Sequence, residues 1–511
     1  MLPNGSRSVG HSKDLPADGR SVSVPLWVIG LLILIAFSSR ISAALILPNA
    51  EQDGYSYAEI ISRLTQCLEA GQLSATDLYG FWLPLFQVAA AILNLGVHDA
   101  LVAGKIINAI CGAIATVLVF DLTLRLTRSV LFAAIGFAVI LIDPLHLLFS
   151  AACMTDVPHA CLVLTSLWFA ARRKWIAAAI TGGLAGFIRI ESWSLLVVLP
   201  ILQLLCERRV SIVTVLVLLL APLGWLTICF AATGHPLSYF HDRAQYHIEY
   251  IAAHPERHGF HWTVLCQDLD SFLTGAGRLI TVVNLAVTIG VMWRWVRDRK
   301  LPNPLLLITI GYYISLMGLI VVAYVTKAQP VILPRYGLTF FAIGLPLFAW
   351  SLQFALARLT SPFLKVILTL IVGAVLFAEM GRERPTLGNV YRDFRAHQKI
   401  ASALVQKMGE LPDTRCFSDD VAVRVLSGLP PDRFLRTVFA RRSGVTTKEE
   451  FSGYLRDHDG RFLVFFPTED SLPVKFFPEL GRNELPNDSR FELLDFASSS
   501  FGPDIWLYRV R

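Results

Sequence analysis

Two aspartates stand where apolar sequence gives way to polar sequence: Asp53 in PNAEQDGYSY (48–57) and Asp156 in MTDVPH (154–159). A carboxylate held within hydrogen-bond reach of an attacking hydroxyl can take its proton. Elsewhere in the chain lie side chains suited to holding an anion: Arg40, Arg189 with Glu191, and Arg335 with Tyr336. Arginine forks match the geometry of a phosphate or pyrophosphate. Each residue also has a plainer reading. Asp53 would be a solvated loop residue, and Thr155 or Asp156 would cap a helix whose first turn holds Pro158. Arg189 and Glu191 would form a local ion pair, and Arg335 would snorkel to an interface. Arg40 weighs against the plainer reading of Asp53. An arginine about seven residues inside an apolar span costs ~2.5–3.5 kcal/mol on insertion, and the expected compensation is a polar cavity or a nearby carboxylate. Asp156 and His159, three apart, share one face of a helix's first turn.

The elements that position these groups are membrane spans. The chain has 511 residues, 54% of them hydrophobic and only 16% charged, far more apolar than a soluble core requires. A net charge of +6 does not indicate nucleic acid, because the cations fall in short clusters between apolar spans, such as Arg172-Arg173-Lys174 and RWVRDRK (294–300). Such clusters set topology. The expected architecture is a polytopic α-helical membrane protein of about eleven transmembrane helices, with the N-terminus inside and the C-terminus outside.

Residues 1–24 read as a disordered cytoplasmic tail, polar and without apolar periodicity. Pro25 to Leu47 is the first span; its apolar run is too long for a signal-peptide core and contains Arg40. Residues 48–98 read as an outer loop with one or two interfacial helices, the FWLPLFQ segment (81–87) supplying aromatic anchors. The second and third spans cover about 99–123 and about 129–148. The fourth starts at Asp156, and the fifth leads out to Arg189, Glu191 and Trp193 before the sixth returns to Glu207. The seventh covers about 210–232, followed by a polar loop rich in His and Tyr. The last four end near 298, 325, 357 and 380, with Arg335 and Tyr336 opening the tenth. Asp53, Asp156, Arg189 and Arg335 then share the outer side.

After residue 380 the composition changes. Residues 381–511 alternate strand-like runs, RFLVFF (461–466) and IWLYRV (505–510), with helical patterns such as IASALVQKM (400–408), as a small soluble α/β domain on the outer face would. Residues 25–380 form the membrane domain. The eight cysteines are scattered singly without metal-like spacing and read as small hydrophobes.

One aqueous face thus gathers carboxylates, arginines and aromatic residues at headgroup level. A carboxylate could deprotonate an acceptor hydroxyl as it attacks a sugar carbon, with the arginines holding a lipid phosphate as leaving group. That leaving group is already stable as an anion and needs no strong general acid.

The order of these residues also resembles a known family. Arg40 is followed by a D-x-Y-x-Y element at Asp53, Tyr55 and Tyr57, then FWLPLF (81–86), Thr155 and Asp156, then Arg189 and Glu191. Pro334, Arg335 and Tyr336 precede a tenth span that contains Pro346. This arrangement resembles the membrane-embedded C-type glycosyltransferases, nearest the protein O-mannosyltransferases and the lipid A aminoarabinose transferases, over roughly residues 25–380. The resemblance implies a transferase that uses a polyprenyl-phosphate-linked hexose or pentose. It makes Asp53 the base that activates the acceptor and Asp156 the second acidic residue of the catalytic site, which in relatives positions acceptor or base or takes part in binding a divalent metal. Arg335 holds the lipid phosphate, and Arg40, Tyr57, His159, Arg189, Glu191 and Tyr336 line the substrate pocket. The adjacent Asp-Glu pair of eukaryotic protein mannosyltransferases is absent; Glu51 lies two residues before Asp53 instead. Protein O-mannosylation is therefore not specifically implied.

The expected partners are the polyprenyl-phosphate sugar, membrane lipids and a glycan, lipid or protein acceptor, with no nucleic acid. No cofactor is required by the sequence, and a divalent cation stays open because two aspartates and His159 are no full ligand set. A C-terminal Arg-Val-Arg without a retention signal points to a plasma (inner) membrane. Two other classes remain: a transporter or lipid-linked-sugar flippase, which would carry ionisable groups along the middle of several spans, and a non-catalytic assembly factor acting through its outer domain.

Overall fold

The computed structural model describes residues 24–49, 51–253, 262–272, 277–298, 303–325, 334–382, 384–465, 472–478, 480, 490–498 and 504–511. The expected N-terminal tail and most of the loop before Arg335 lie outside these residues.

The chain begins with α1 (Leu26–Ile46), followed by three helices in the first loop: α2 (Gln52–Glu69), α3 (Ala75–Leu78) and α4 (Leu85–Val97). At 13 residues α4 is about 20 Å long, too short for a hydrocarbon core of ~30 Å. Sequence reading allowed one or two helices here and missed that the Asp53 segment is itself helical. Its apolar residues Tyr57, Ile61 and Leu64 recur at helical spacing and are buried.

Next come α5 (Ala100–Thr127), α6 (Val130–Ile142), α7 (Pro144–Ser150), α8 (Asp156–Ala171), α9 (Trp175–Gly186), a 3-10 turn (Ile190–Ser194) leading into α10 (Leu195–Glu207), and α11 (Ile212–Thr233). The expected third span is broken: α6 and α7 meet at a 61° bend. Pro144 offers no amide proton and disfavours helical geometry in the residue before it, so α6 ends there. Asp143 caps the new helix, its Oδ1 accepting from the His146 amide at 2.8 Å.

Then follow α12 (Ser238–Ala253), α13 (Trp262–Phe272), α14 (Gly277–Asp298), α15 (Pro304–Val325), a 3-10 turn (Pro334–Tyr336), α16 (Gly337–Arg358) and α17 (Pro362–Arg382). Eight helices among the described residues are long and apolar enough to cross a membrane, or nine if α6 and α7 form one broken span. The other two expected spans correspond to α8 and α9, which are apolar but only 16 and 12 residues long. The most buried of the eight is α16; α1 and α17 are the most exposed. Side chains from α5, α8, α10, α15 and α16 build the main apolar core. A second core joins Tyr57, Phe86, Phe149, Val157 and Leu338, so it packs the first loop onto the tops of α8 and α16.

Beyond α17 comes α18 (Arg384–Glu410), then a five-stranded sheet of β1 (Arg415–Ser418), β2 (Phe434–Leu435), β3 (Gly460–Phe465), β4 (Phe491–Ala497) and β5 (Ile505–Val510), with α19 (Val421–Ser427) after β1. The order is β2-β1-β3-β5-β4. The three strands β2, β1 and β3 are parallel, whereas β5 runs antiparallel to both β3 and β4. The two strand-like runs seen in the sequence are β3 and β5, and they are neighbours. The cysteines are all free.

Candidate active site

Glu51 is extended and directly precedes α2, which places Asp53 in that helix's first turn. Both carboxylates meet one guanidinium. Arg335 Nη1 donates to Glu51 Oε2, and Nη2 donates to Asp53 Oδ2 at 2.5 Å. Arg335 itself is buried, while about a third of each carboxylate side chain remains open to solvent.

A second, parallel arrangement lies beside it. Asp156 opens α8, and its Oδ1 accepts from Arg189 Nη1 at 2.5 Å. The same arginine donates to Glu191 Oε1 through Nη2 at 2.7 Å. Arg189 precedes the 3-10 turn that begins α10, so this ion group ties α8 to that turn. Tyr336 joins the two groups, its ring centroid lying 4.6 Å from Arg189 Cζ and 5.8 Å from Arg335 Cζ. Cations over an aromatic face are held by its quadrupole.

Asp156 does not serve as a cap. The N-cap residue Thr155 makes no capping bond. Its hydroxyl lies 3.2 Å from the hydroxyl of Tyr57. The Tyr57 ring in turn packs on Trp82 and Phe86, with centroids 4.6 and 5.7 Å away. Asp156 Oδ2 is buried without a hydrogen-bond partner among the described residues. A buried carboxylate oxygen in that state is a vacant acceptor, and native proteins keep few of them.

Burial pushes the carboxyl of Glu51 up to about 7, with Arg335 pulling it down and Asp53 and Asp156 adding to the rise. Protein packs densely round the group even though 36% of the side chain stays exposed. Glu51 can thus become neutral near neutral pH.

Two expected pocket residues are placed differently. Arg40 points away from the carboxylates, into the elbow between α6 and α7. It donates to the carbonyls of Ile140 at 2.6 Å and Leu141 at 3.1 Å, and Nη2 lies 2.9 Å from His146 Nδ1. The compensation expected from a nearby carboxylate is supplied mainly by carbonyls that the helix break leaves without amide partners. His159 is also fully engaged, with Nε2 2.8 Å from Ser192 Oγ and Nδ1 3.0 Å from Thr339 Oγ1. It fastens α8 to α16 and the 3-10 turn. No group of three or more His, Cys, Asp or Glu side chains placed to hold a metal occurs among the described residues.

Sequence reading missed Asn49. Its Oδ1 accepts from the Cys153 amide and its Nδ2 donates to the Glu51 carbonyl, each at 2.8 Å, so it stitches together the loops bearing the two acidic groups. A Cβ on Gly54 would stand 2.2 Å from Asn49 Nδ2. A glycine beside Asp53 at the start of a helix was the available signal, since glycine within a helical pattern costs about 1 kcal/mol against alanine and so points to a packing reason.

No protein-family model matches the chain, and no curated protein matches it in sequence. Solved structures do match in shape. ArnT from Cupriavidus metallidurans superposes with a TM-score of 0.59 at 15% identity, covering 94% of this chain and 97% of ArnT in the apo state. The same protein bound to undecaprenyl phosphate gives 0.59 and 15%, covering 95% and 98%. The oligosaccharyltransferase AglB from Archaeoglobus fulgidus, in complex with an inhibitory peptide and a dolichol-phosphate, gives 0.52 at 12% identity, covering 88% of this chain and 70% of its own. Across most of its length the chain therefore has the fold of ArnT and the archaeal oligosaccharyltransferase, the fold that the resemblance to membrane-embedded C-type glycosyltransferases implies.

Proposed function

We propose that the chain is an integral-membrane glycosyltransferase that moves a sugar from a polyprenyl-phosphate donor to an acceptor at the non-cytoplasmic face of the membrane. The observation that carries this reading is the pair of guanidinium groups, Arg335 buried and Arg189 partly buried, drawn to one ring, Tyr336, and each held by two carboxylates. Both solved structures with ligands point to the same chemistry, since one holds undecaprenyl phosphate and the other a dolichol-phosphate.

In the reaction, Asp53 accepts the proton of the acceptor hydroxyl while that oxygen bonds to the sugar's anomeric carbon. The bond from that carbon to the phosphate oxygen breaks, and its electron pair leaves on the lipid phosphate. Arg335 and Arg189 bind that phosphate. Protonation of Glu51 frees one arm of the Arg335 fork for it, and the remaining arm keeps Asp53 in place. The vacant Oδ2 of Asp156 accepts a hydroxyl of the donor or the acceptor.

The test uses correctly inserted, purified protein with short-chain polyprenyl-phosphate sugars and a membrane extract as the source of acceptors, following release of lipid phosphate. Asp53→Asn should lose release by a hundredfold or more. Undiminished release would remove Asp53 as base. Movement of lipid-linked sugar across liposomes by wild-type protein, with no release from any donor, would favour the flippase reading.

A further inference from the structure

The helix that carries Asp53 is gripped from its other side by the C-terminal domain. Gln52 and Glu59 lie seven residues apart, two turns along α2, and so share a face; Asp53 and Tyr57 lie about a third of a turn round the helix. Asp53 and Tyr57 turn to the ion groups described above. Gln52 and Glu59 turn to the C-terminal domain.

Gln52 Nε2 lies 2.8 Å from Nε2 of His397, which is buried on α18, and Gln52 Oε1 accepts from the Ala422 amide on α19 at 3.3 Å. His397 Nδ1 is 2.7 Å from the Asp393 carbonyl, so the ring donates there and accepts from Gln52. Two turns on, Glu59 takes a fork from Arg424 of α19, Nε to Oε1 at 2.8 Å and Nη2 to Oε2 at 3.2 Å. Arg436 Nη2 adds a third bond at 3.1 Å. Arg424 is buried, and its Nη1 is spent on the Ser418 carbonyl at the end of β1 at 2.8 Å. A guanidinium fixed to a sheet and forked onto a carboxylate constrains direction as well as distance. Tyr391 of α18 donates to the Ile46 carbonyl at the end of α1 at 2.9 Å, completing the attachment.

We infer that the C-terminal domain sets the rotation of α2, with Gln52, Glu59 and Arg424 as positioning residues for Asp53. Gripping at two points on one face prevents rolling, which a single contact would permit. A roll of ~20° would carry a carboxylate about 5 Å from the helix axis through roughly 2 Å. Displacement of that size takes a base out of reach of its substrate, and about 1 Å already costs on the order of a hundredfold in rate. The grip thereby gives the C-terminal domain, none of whose described residues joins the ion cluster, a direct hold on catalysis. The kinetic part of the inference rests on Asp53 being the base proposed above; the structural part does not.

The experiment compares full-length wild-type protein with Glu59→Ala, Gln52→Ala, Glu59→Gln and Lys399→Ala. Lys399 bonds Asp495 and the Phe496 carbonyl, both on β4 within the C-terminal domain, so it serves as control. Amide hydrogen exchange over residues 52–58 should quicken tenfold or more in Glu59→Ala and Gln52→Ala, with the amides of β1 and β3 unchanged. With a short-chain polyprenyl-phosphate sugar as donor, kcat should fall about tenfold to a hundredfold while the donor KM stays within about twofold. Glu59→Gln keeps a bond to Arg424 and should recover part of the loss; Lys399→Ala should behave as wild type. Unchanged exchange in both alanine variants would overturn the inference. So would a raised KM with intact kcat, which would make the domain a binding element, or an equal effect from Lys399→Ala. Should Glu59→Ala fail to fold, Gln52→Ala decides. If wild-type protein releases no lipid phosphate, the glycosyltransferase reading fails and the exchange measurement still decides the grip.

Discussion

Arg335 Nη2 stands 2.5 Å from Asp53 Oδ2, joining the head of α16 to the first turn of α2 across 282 residues of sequence. The same guanidinium holds Glu51 with its other arm. The residue assigned to the leaving phosphate is therefore also the one that holds the assigned base.

Lysine cannot make that fork, because its ammonium is a point charge without two parallel donors. Arg335→Lys should insert and fold yet lose about a hundredfold or more in kcat for lipid-phosphate release. Arg335→Lys with near wild-type release would separate this arginine from the chemistry.

Glu51 gives the site a pH dependence of definite sign. Burial raises its carboxyl from the ordinary 4.5 to about 7 in the folded protein. Below about 7 the group is neutral and Arg335 is free to take the donor phosphate; above it, the carboxylate competes. The donor KM should therefore rise between pH 6 and pH 8, and Glu51→Gln should flatten that rise. For stability the sign is the same: the folded state binds this proton more tightly, so Glu51's contribution falls as pH climbs from about 4.5 to about 7. Thermal unfolding of Glu51→Gln beside wild type across that window checks it.

Gly54→Ala should destabilise the protein by about 1–3 kcal/mol, because the new methyl meets Asn49 at 2.2 Å. Asn49→Ala alone removes the bonds to Cys153 and Glu51 and should also destabilise. The double variant should be less unstable than the sum of the two, since the second change removes the clash. Strict additivity in a thermal-unfolding cycle would contradict the contact.

Arg40→Met should lower the unfolding temperature and leave the donor KM of the folded fraction unchanged. Its effect is to strand the Ile140 and Leu141 carbonyls, at about 1–3 kcal/mol for a buried group left unpaired. A selective rise in donor KM would return Arg40 to the pocket.

The membrane class and the small C-terminal sheet were legible because hydrophobic run length and strand alternation are local signals. That Arg40 needs polar partners inside an apolar span was legible too, since a charge there is costly. Partners were not. Nothing in the sequence says that Arg335 selects Glu51 and Asp53, or that Arg189 takes Asp156, because those pairs are made by helices packing at large sequence separation. The elbow at Pro144 was a missed local signal, and it redirected Arg40: carbonyls released by a broken helix are acceptors that no list of acidic residues reveals. The partners of His159 were hidden for a related reason. Its spacing from Asp156 was read correctly, but Ser192 and Thr339, which occupy both ring nitrogens, come from distant elements.

The bond between Arg40 and the elbow also constrains how the protein is made. Its acceptors, Ile140 and Leu141, are translated 100 residues or more after it. At ~5–20 residues per second, α1 must wait roughly 5–20 s with its guanidinium unmatched. An apolar segment bearing an arginine carries a standing penalty of ~2.5–3.5 kcal/mol in lipid. The polar pairing of α1 is therefore completed only once α6 and α7 have emerged.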